Sequence, residues 1–210
     1  MQTSNRNIIN IEEHPESSLI LALGLYNSGR IFIYPTDTIY GIGGNPFDKN
    51  VVKKISEIKG RNEQKQFIWL ISDFENLLNY VDITFENHFD FLQKLWPGPV
   101  SVVLNLNDRT KKITEFDTIA VRIPNNNFCQ KLLNEIRRPL ISTSVNRSGK
   151  DPLNQIELIL ENFSQDVDAI IFSSDEIQQI SSTLIDLTTE EPKLIREGST
   201  KFVELLKNFN

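Results

Sequence analysis

Four short polar segments carry the residue types that do chemistry, and each lies where an apolar, strand-like run meets a turn. The first is Pro35-Thr36-Asp37-Thr38-Ile39-Tyr40-Gly41-Ile42-Gly43-Gly44, directly behind the β-prone run Ile31-Phe32-Ile33-Tyr34. Hydroxyls supply adaptable donors and acceptors, and glycines let main chain approach a ligand closely. An ordinary turn would use the same residues, and the segment alone leaves both readings open. The second is Lys59-Gly60-Arg61, with Lys65 close behind. Arginine offers a planar fork to two phosphate oxygens and lysine a point charge, although a solvated helix end also favours lysine. The third is Ser142-Thr143-Ser144-Val145-Asn146-Arg147-Ser148-Gly149. Strand alternation puts Ser142, Ser144 and Asn146 on one side and Thr143 and Val145 on the other. Three polar side chains on one side suit a nucleotide or a small polar substrate, or else a turn cluster. The fourth is a pair of arginines on strands, Arg122 within Thr118–Pro124 and Arg196 within Leu194–Gly198. A partly buried arginine requires an anionic partner, from the protein or from a ligand.

Other chemistries are excluded. No Ser-His-Asp order, HExxH, Walker A loop or GxGxxG is present. The two histidines, His14 and His88, lie outside the four segments, which removes His-based acid–base catalysis. The one cysteine, Cys129, allows neither an intramolecular disulfide nor a Cys-rich zinc site. Its apolar-periodic surroundings (Phe128, Leu132, Leu133) make it a small buried filler. A net charge of −6 argues against a protein whose main task is to coat nucleic acid, while allowing a local basic pocket. The N-terminal stretch has no signal-peptide pattern and no apolar run reaches membrane-spanning length, so a cytoplasmic protein with no membrane partner is expected.

The elements that must position these segments follow from periodicity. Helical spacing covers Glu16–Asn27, Lys49–Lys59 with Asp48 as its cap, Ser72–Leu78, Phe85–Leu95, Phe128–Ile136, Ile156–Phe163 and about Thr200–Lys207. Short β-rich runs cover Ile31–Tyr34, Phe67–Ile71, Val100–Leu106, Thr118–Ile123, Leu140–Val145, Ala169–Phe172, Thr183–Leu187 and Leu194–Ile195. Some strands follow one another directly, which favours a mixed sheet with helices packed on it. No linker, repeat or composition break divides the chain, so one domain over residues 1–210 is expected. Ligands of open α/β sheets bind beyond strand ends. The residues therefore lead to an α/β protein whose cleft is rich in Thr, Ser, Lys and Arg and handles a phosphorylated small molecule.

Taken together, the segments resemble the YrdC/TsaC family of threonylcarbamoyl-AMP synthases. PTDTIYGIG, KGR, WPGPVSVVL, TIAVRIP, STSVNRSG, SSTLIDLT and LIREG occur in family order from about Leu19 to Ser199. The resemblance implies a mixed, twisted sheet flanked by helices around a deep concave cleft, in the short, single-domain form. It implies synthesis of threonylcarbamoyl-AMP and pyrophosphate from L-threonine, bicarbonate and ATP with Mg2+. A second protein then transfers the threonylcarbamoyl group to tRNA, giving threonylcarbamoyladenosine (t6A). The family's signature groups fall on Lys59, Arg61, Ser144 and Asn146. Its threonine pocket falls on Thr38, Arg122, Ser142 and Ser182, and its nucleotide contacts on Arg61, Lys65, Thr118, Ser144 and Arg196. Asn62 and Gln66 replace prolines usual in the family, Leu70 stands where many members have His, Val145 replaces Ala, and Pro152 lies near a common Ser or Thr. Two other readings stand beside this one. They are a non-enzymatic module binding double-stranded RNA or tRNA weakly through the same cleft, and a YciO-type paralogue with another substrate.

Overall fold

Alternation of β-branched runs with helical spacing builds nineteen elements in the computed structural model, which describes residues 7–60, 66–175 and 177–209. The strands are β1 (Asn7–Asn10), β2 (Phe32–Tyr34), β3 (Gly41–Gly43), β4 (Ile68–Leu70), β5 (Val81–Asp82), β6 (Val100–Leu106), β7 (Thr118–Arg122), β8 (Leu140–Ser144), β9 (Ala169–Phe172), β10 (Thr183–Asp186) and β11 (Lys193–Arg196). The helices are α1 (Pro15–Asn27), α2 (Lys49–Lys59), α3 (Phe74–Leu78), α4 (Glu86–Leu95), α5 (Asp108–Thr114), α6 (Asn127–Ile136), α7 (Ile156–Phe163) and α8 (Phe202–Leu206). One sheet joins the strands in the order β1-β9-β2-β3-β8-β4-β7-β6-β10-β11, with β5 added beside β6. Parallel pairs (β1·β9, β2·β9, β4·β7, β6·β10) mix with antiparallel ones, as the direct strand-to-strand connections require.

Caps set the helices that matter for the cleft. The Asp48 carboxylate accepts from the N–H groups of Asn50 and Val51 and starts α2. Gly60 ends it in the left-handed region, at φ 59°, leaving Lys59 on the last turn. Asn126 accepts from the Cys129 N–H and starts α6.

Alternation along β4, β7 and β8 divides the core. One face carries Trp69, Ile119 and Val121 into a cluster with Phe91, Leu92 and Leu95 of α4. Toward one end of the other face, Leu70 and Leu140 pack under Phe128, Leu132 and Leu133 of α6 and Ala22 and Tyr26 of α1. Farther along that same face Ile68, Ala120, Arg122, Ser142 and Ser144 line a cavity instead. The cleft is the part of this sheet face that the helices leave open. Cys129 is fully buried among α6 neighbours and donates to the Pro35 carbonyl, and burial pushes its thiol pKa far up, as expected of an inert filler.

Four elements were not legible as such. The Asn-Ile-Ile-Asn segment at Asn7–Asn10 forms β1, Val81–Asp82 pairs with β6, and Asp108–Thr114 forms a helix started by Asn107. The glycine-rich Gly41–Gly43 is a strand rather than a loop. A Cβ at Gly43 would lie 2.2 Å from the Ile141 carbonyl oxygen and 2.7 Å from the Tyr34 ring. These glycines admit neighbouring protein, not a ligand, to close approach. Among the described residues no helix is long and apolar enough to cross a membrane.

Candidate active site

The cavity on the open sheet face holds about 440 Å³ and brings three polar groups together. The first joins the end of α2 to the end of β8. The buried Lys59 ammonium donates to the Ser144 carbonyl at 2.6 Å and to the Ser144 hydroxyl at 3.3 Å, and also reaches the Asn146 amide oxygen. Ser144 Oγ donates to the same amide oxygen at 2.7 Å. Asn146 in turn donates to the Lys150 carbonyl, so its amide orientation is fixed. Arg147 locks this joint from outside. It donates to the Ile58 carbonyl at 2.5 Å, pairs with Asp166 at 2.6 Å and stacks over Phe163 at 4.7 Å. The Ser148 N–H reaches the Lys59 carbonyl at 2.7 Å.

The second group surrounds Arg122 on β7, which is only 3% exposed. Its Nη1 donates to Thr38 Oγ1 at 3.0 Å, and Thr38 shares a 3.0 Å hydrogen bond with Thr36. Thr36 is held by the Ile39 carbonyl at 2.7 Å. Nη2 lies 3.4 Å from Asp37 Oδ1, an ion pair without hydrogen-bond geometry, and the buried Nε has no acceptor among the described residues. A guanidinium has five N–H donors, and here one hydrogen bond and one loose ion pair serve it.

The third group lies beyond β10. Ser182 Oγ shares a 2.9 Å hydrogen bond with the buried Ser101 hydroxyl, and Arg196 Nη2 donates to the Ser182 carbonyl at 2.9 Å. Desolvation at the cavity wall, and then the nearby Arg122 charge, pull the Arg196 pKa below the usual arginine range. Tyr40 closes another side. Its hydroxyl accepts from the Ser173 N–H at 3.1 Å, and burial raises its pKa.

Of the residues singled out from sequence, Thr38, Arg122, Ser142, Ser144, Asn146, Ser182 and Arg196 line this one cavity, and Lys59 touches two of them. Thr118 is half-buried on β7 and is not among the lining residues. Arg61 and Lys65 lie outside the described residues. Gln66 and Pro152 line the cavity, whereas Leu70 is fully buried in the core under α6. Sequence reasoning missed the Asp37–Arg122 pair, although Asp37 stood inside a singled-out segment and Arg122 was read as needing an anion. Thr36 and Tyr40, hydroxyls of the first singled-out segment, also line the cavity, and Ser181, outside the four segments, was missed. A larger cavity, about 760 Å³, lies beyond the Thr36–Asp37 turn. Its charged lining is Glu12, Glu16, Asp37 and Asp175 against Lys131, whereas Arg122 and Arg196 line the smaller one.

Known proteins share this fold. The Sua5/YciO/YrdC family model, described as "Telomere recombination", matches residues 25–198. A threonylcarbamoyl-AMP synthase from Pyrococcus abyssi is 34% identical over 203 residues, which is 95% of this chain and 60% of that protein. The chain thus spans about 60% of the length of this curated relative. The crystal structure of P. abyssi Sua5 complexed with L-threonine superposes with a TM-score of 0.87 at 33% identity, covering 96% of this chain and 60% of that one. E. coli YciO superposes with a TM-score of 0.80 at 27% identity, over 91% of this chain and 92% of that one. With the motif order, the mixed sheet and the family match all in agreement, this chain belongs to the Sua5/YciO/YrdC family.

Proposed function

We propose that the cleft synthesises threonylcarbamoyl-AMP. L-threonine, bicarbonate and ATP give threonylcarbamoyl-AMP, pyrophosphate and water. The observation that carries this reading is Arg122. A guanidinium that is 3% exposed, faces a cavity and is served by one hydrogen bond and one loose ion pair retains donors for a carboxylate. The hydroxyls of Thr38, Ser142 and Ser182 stand on the same cavity as receptors for the rest of a small hydroxy amino acid. The P. abyssi relative whose structure carries L-threonine supports the same choice of substrate.

In the proposed reaction the carbamate oxygen of the carboxylated amino acid attacks the α-phosphorus and pyrophosphate leaves. Such a transfer asks for alignment and charge neutralisation more than for covalent participation. Lys59, held by the cavity-lining Ser144 and Asn146, brings positive charge to the cavity, and Arg196 brings a second charge from among its lining residues. Arg61 and Lys65 complete the phosphate-binding set in this proposal. Mg2+ enters as part of the nucleotide substrate, held by phosphate oxygens and water. The carboxylate beside Arg122 is engaged by that ion pair and is not offered to a metal. The product passes to a threonylcarbamoyl transferase acting on tRNA.

The test is release of pyrophosphate from ATP and bicarbonate, with and without L-threonine, by purified protein that melts cooperatively. Threonine-dependent release supports the reading; release that ignores threonine, or none at all, overturns it.

A further inference from the structure

Among the described residues Asp37 is the carboxylate paired with Arg122, and the proposed reaction does not call for it. The two side chains are 10% and 3% exposed, so their charges face each other with little water between. Asp37 is fixed from its other side, where Oδ2 accepts from the Asn125 N–H at 3.1 Å. Its Oδ1 accepts no hydrogen bond among the described residues and meets Arg122 Nη2 at 3.4 Å as a charge. The pair therefore neutralises the guanidinium without consuming its donors. Arg196 lies close enough for Arg122 to perturb it. Two cations and one anion leave a single positive charge at this end of the cleft.

That balance matters because ATP and pyrophosphate enter and leave through the same cavity. Two unopposed guanidinium groups are a phosphate site, since arginine pairs with phosphate oxygens as readily as with carboxylate. We propose that Asp37 is a specificity-determining residue that reserves the Arg122 position for a monoanionic carboxylate and keeps phosphate dianions out. This rests on the reading of Arg122 as the carboxylate site. Asp37 stands behind Arg122 and repels the second charge of a dianion. A carboxylate brings only the charge the site lacks, and discrimination arises from the repulsive element.

The experiment follows the Arg122 Nε–H resonance in arginine-labelled protein, titrated with acetate and with sulfate at constant ionic strength. In the unaltered protein acetate saturates the shift at lower concentration than sulfate. In Asp37→Asn, which keeps the shape and an acceptor for the Asn125 N–H, sulfate affinity relative to acetate rises about tenfold or more. Sulfate also becomes a competitive inhibitor against threonine in the pyrophosphate-release assay. An unchanged sulfate-to-acetate ratio in folded Asp37→Asn overturns the proposal. Should that variant fail to melt cooperatively, the unaltered protein decides alone, because preference for sulfate over acetate at Arg122 overturns it as well. Failure of both acetate and threonine to move the resonance removes the carboxylate reading itself, a result distinct from an unchanged ratio.

Discussion

Lys59 donates to the main-chain carbonyl of Ser144 at 2.6 Å, tying the last turn of α2 to the end of a strand 85 residues later. The ammonium is buried and its position is set by a carbonyl, a hydroxyl and an amide oxygen. Lys59→Met keeps the stem and removes the charge. Threonine-dependent pyrophosphate release should fall roughly 100-fold, the scale for losing one positioned donor to developing charge. Cooperative melting of the same variant separates lost chemistry from lost fold.

Arg147 holds the same joint without lining the cavity. Arg147→Ala removes the bond to the Ile58 carbonyl, the ion pair with Asp166 and the stack on Phe163. The expected cost is about 1–2 kcal/mol, or a melting temperature lower by roughly 2–8 °C. The maximal rate should drop while the KM for threonine stays within about twofold, because Lys59 shifts and Arg122 does not. Calorimetry and steady-state kinetics on one preparation check both halves.

Leu70 stands where many family members carry histidine, yet it belongs to the core beneath α6 and has no exposed surface. Leu70→Ala should destabilise by about 3 kcal/mol, or roughly 6–12 °C in melting temperature. Threonine affinity, measured by titration at a temperature where the variant is folded, should be unchanged.

Asp73 caps α3 and gives one acid-sensitive contribution. Burial disfavours its charged form, but the Asn76 N–H, the Ser72 hydroxyl and Arg137 outweigh that and hold its pKa below the usual carboxylate range. A depressed native pKa means stability that is present above the unfolded-state value and is lost as pH falls through the native one. Asp73→Asn should therefore cost stability at neutral pH, about 1 kcal/mol as for other caps, and the difference from the unaltered protein should begin to narrow below about pH 4 and close as pH falls past the lowered native value. Urea midpoints between pH 3 and 7 measure this.

Most of the architecture was legible because its signals are local. The continuous apolar runs of β2, β6 and β9 reflect burial on both faces, the spacing of α2 and α6 reflects burial of one face, and the Asp48 cap places the start of α2 correctly. β3 was hidden because its glycines remove the side chains by which a strand is read; only contact with Tyr34 and Ile141 explains them. The site residues were recognisable by type, but their juxtaposition was not. Nothing near Arg122 in sequence announces that its counter-charge is Asp37, since the two meet only when β7 and the turn after β2 are folded together. Thr118 shows the converse, a residue of the right type on the right strand that lies outside the cavity lining.

The cleft floor is woven from β8, β4 and β7, and its walls come from the Thr36–Thr38 turn, Ser182 and Arg196. No contiguous stretch of the chain contains more than a fraction of this surface, so its formation has high contact order and follows long-range strand pairing. A ligand seated there cannot tighten one subregion alone. Its binding free energy adds to the global unfolding equilibrium, by about 2.7 kcal/mol at a hundredfold excess over Kd. Occupancy would therefore slow amide hydrogen exchange in the sheet interior, including strands the ligand never touches.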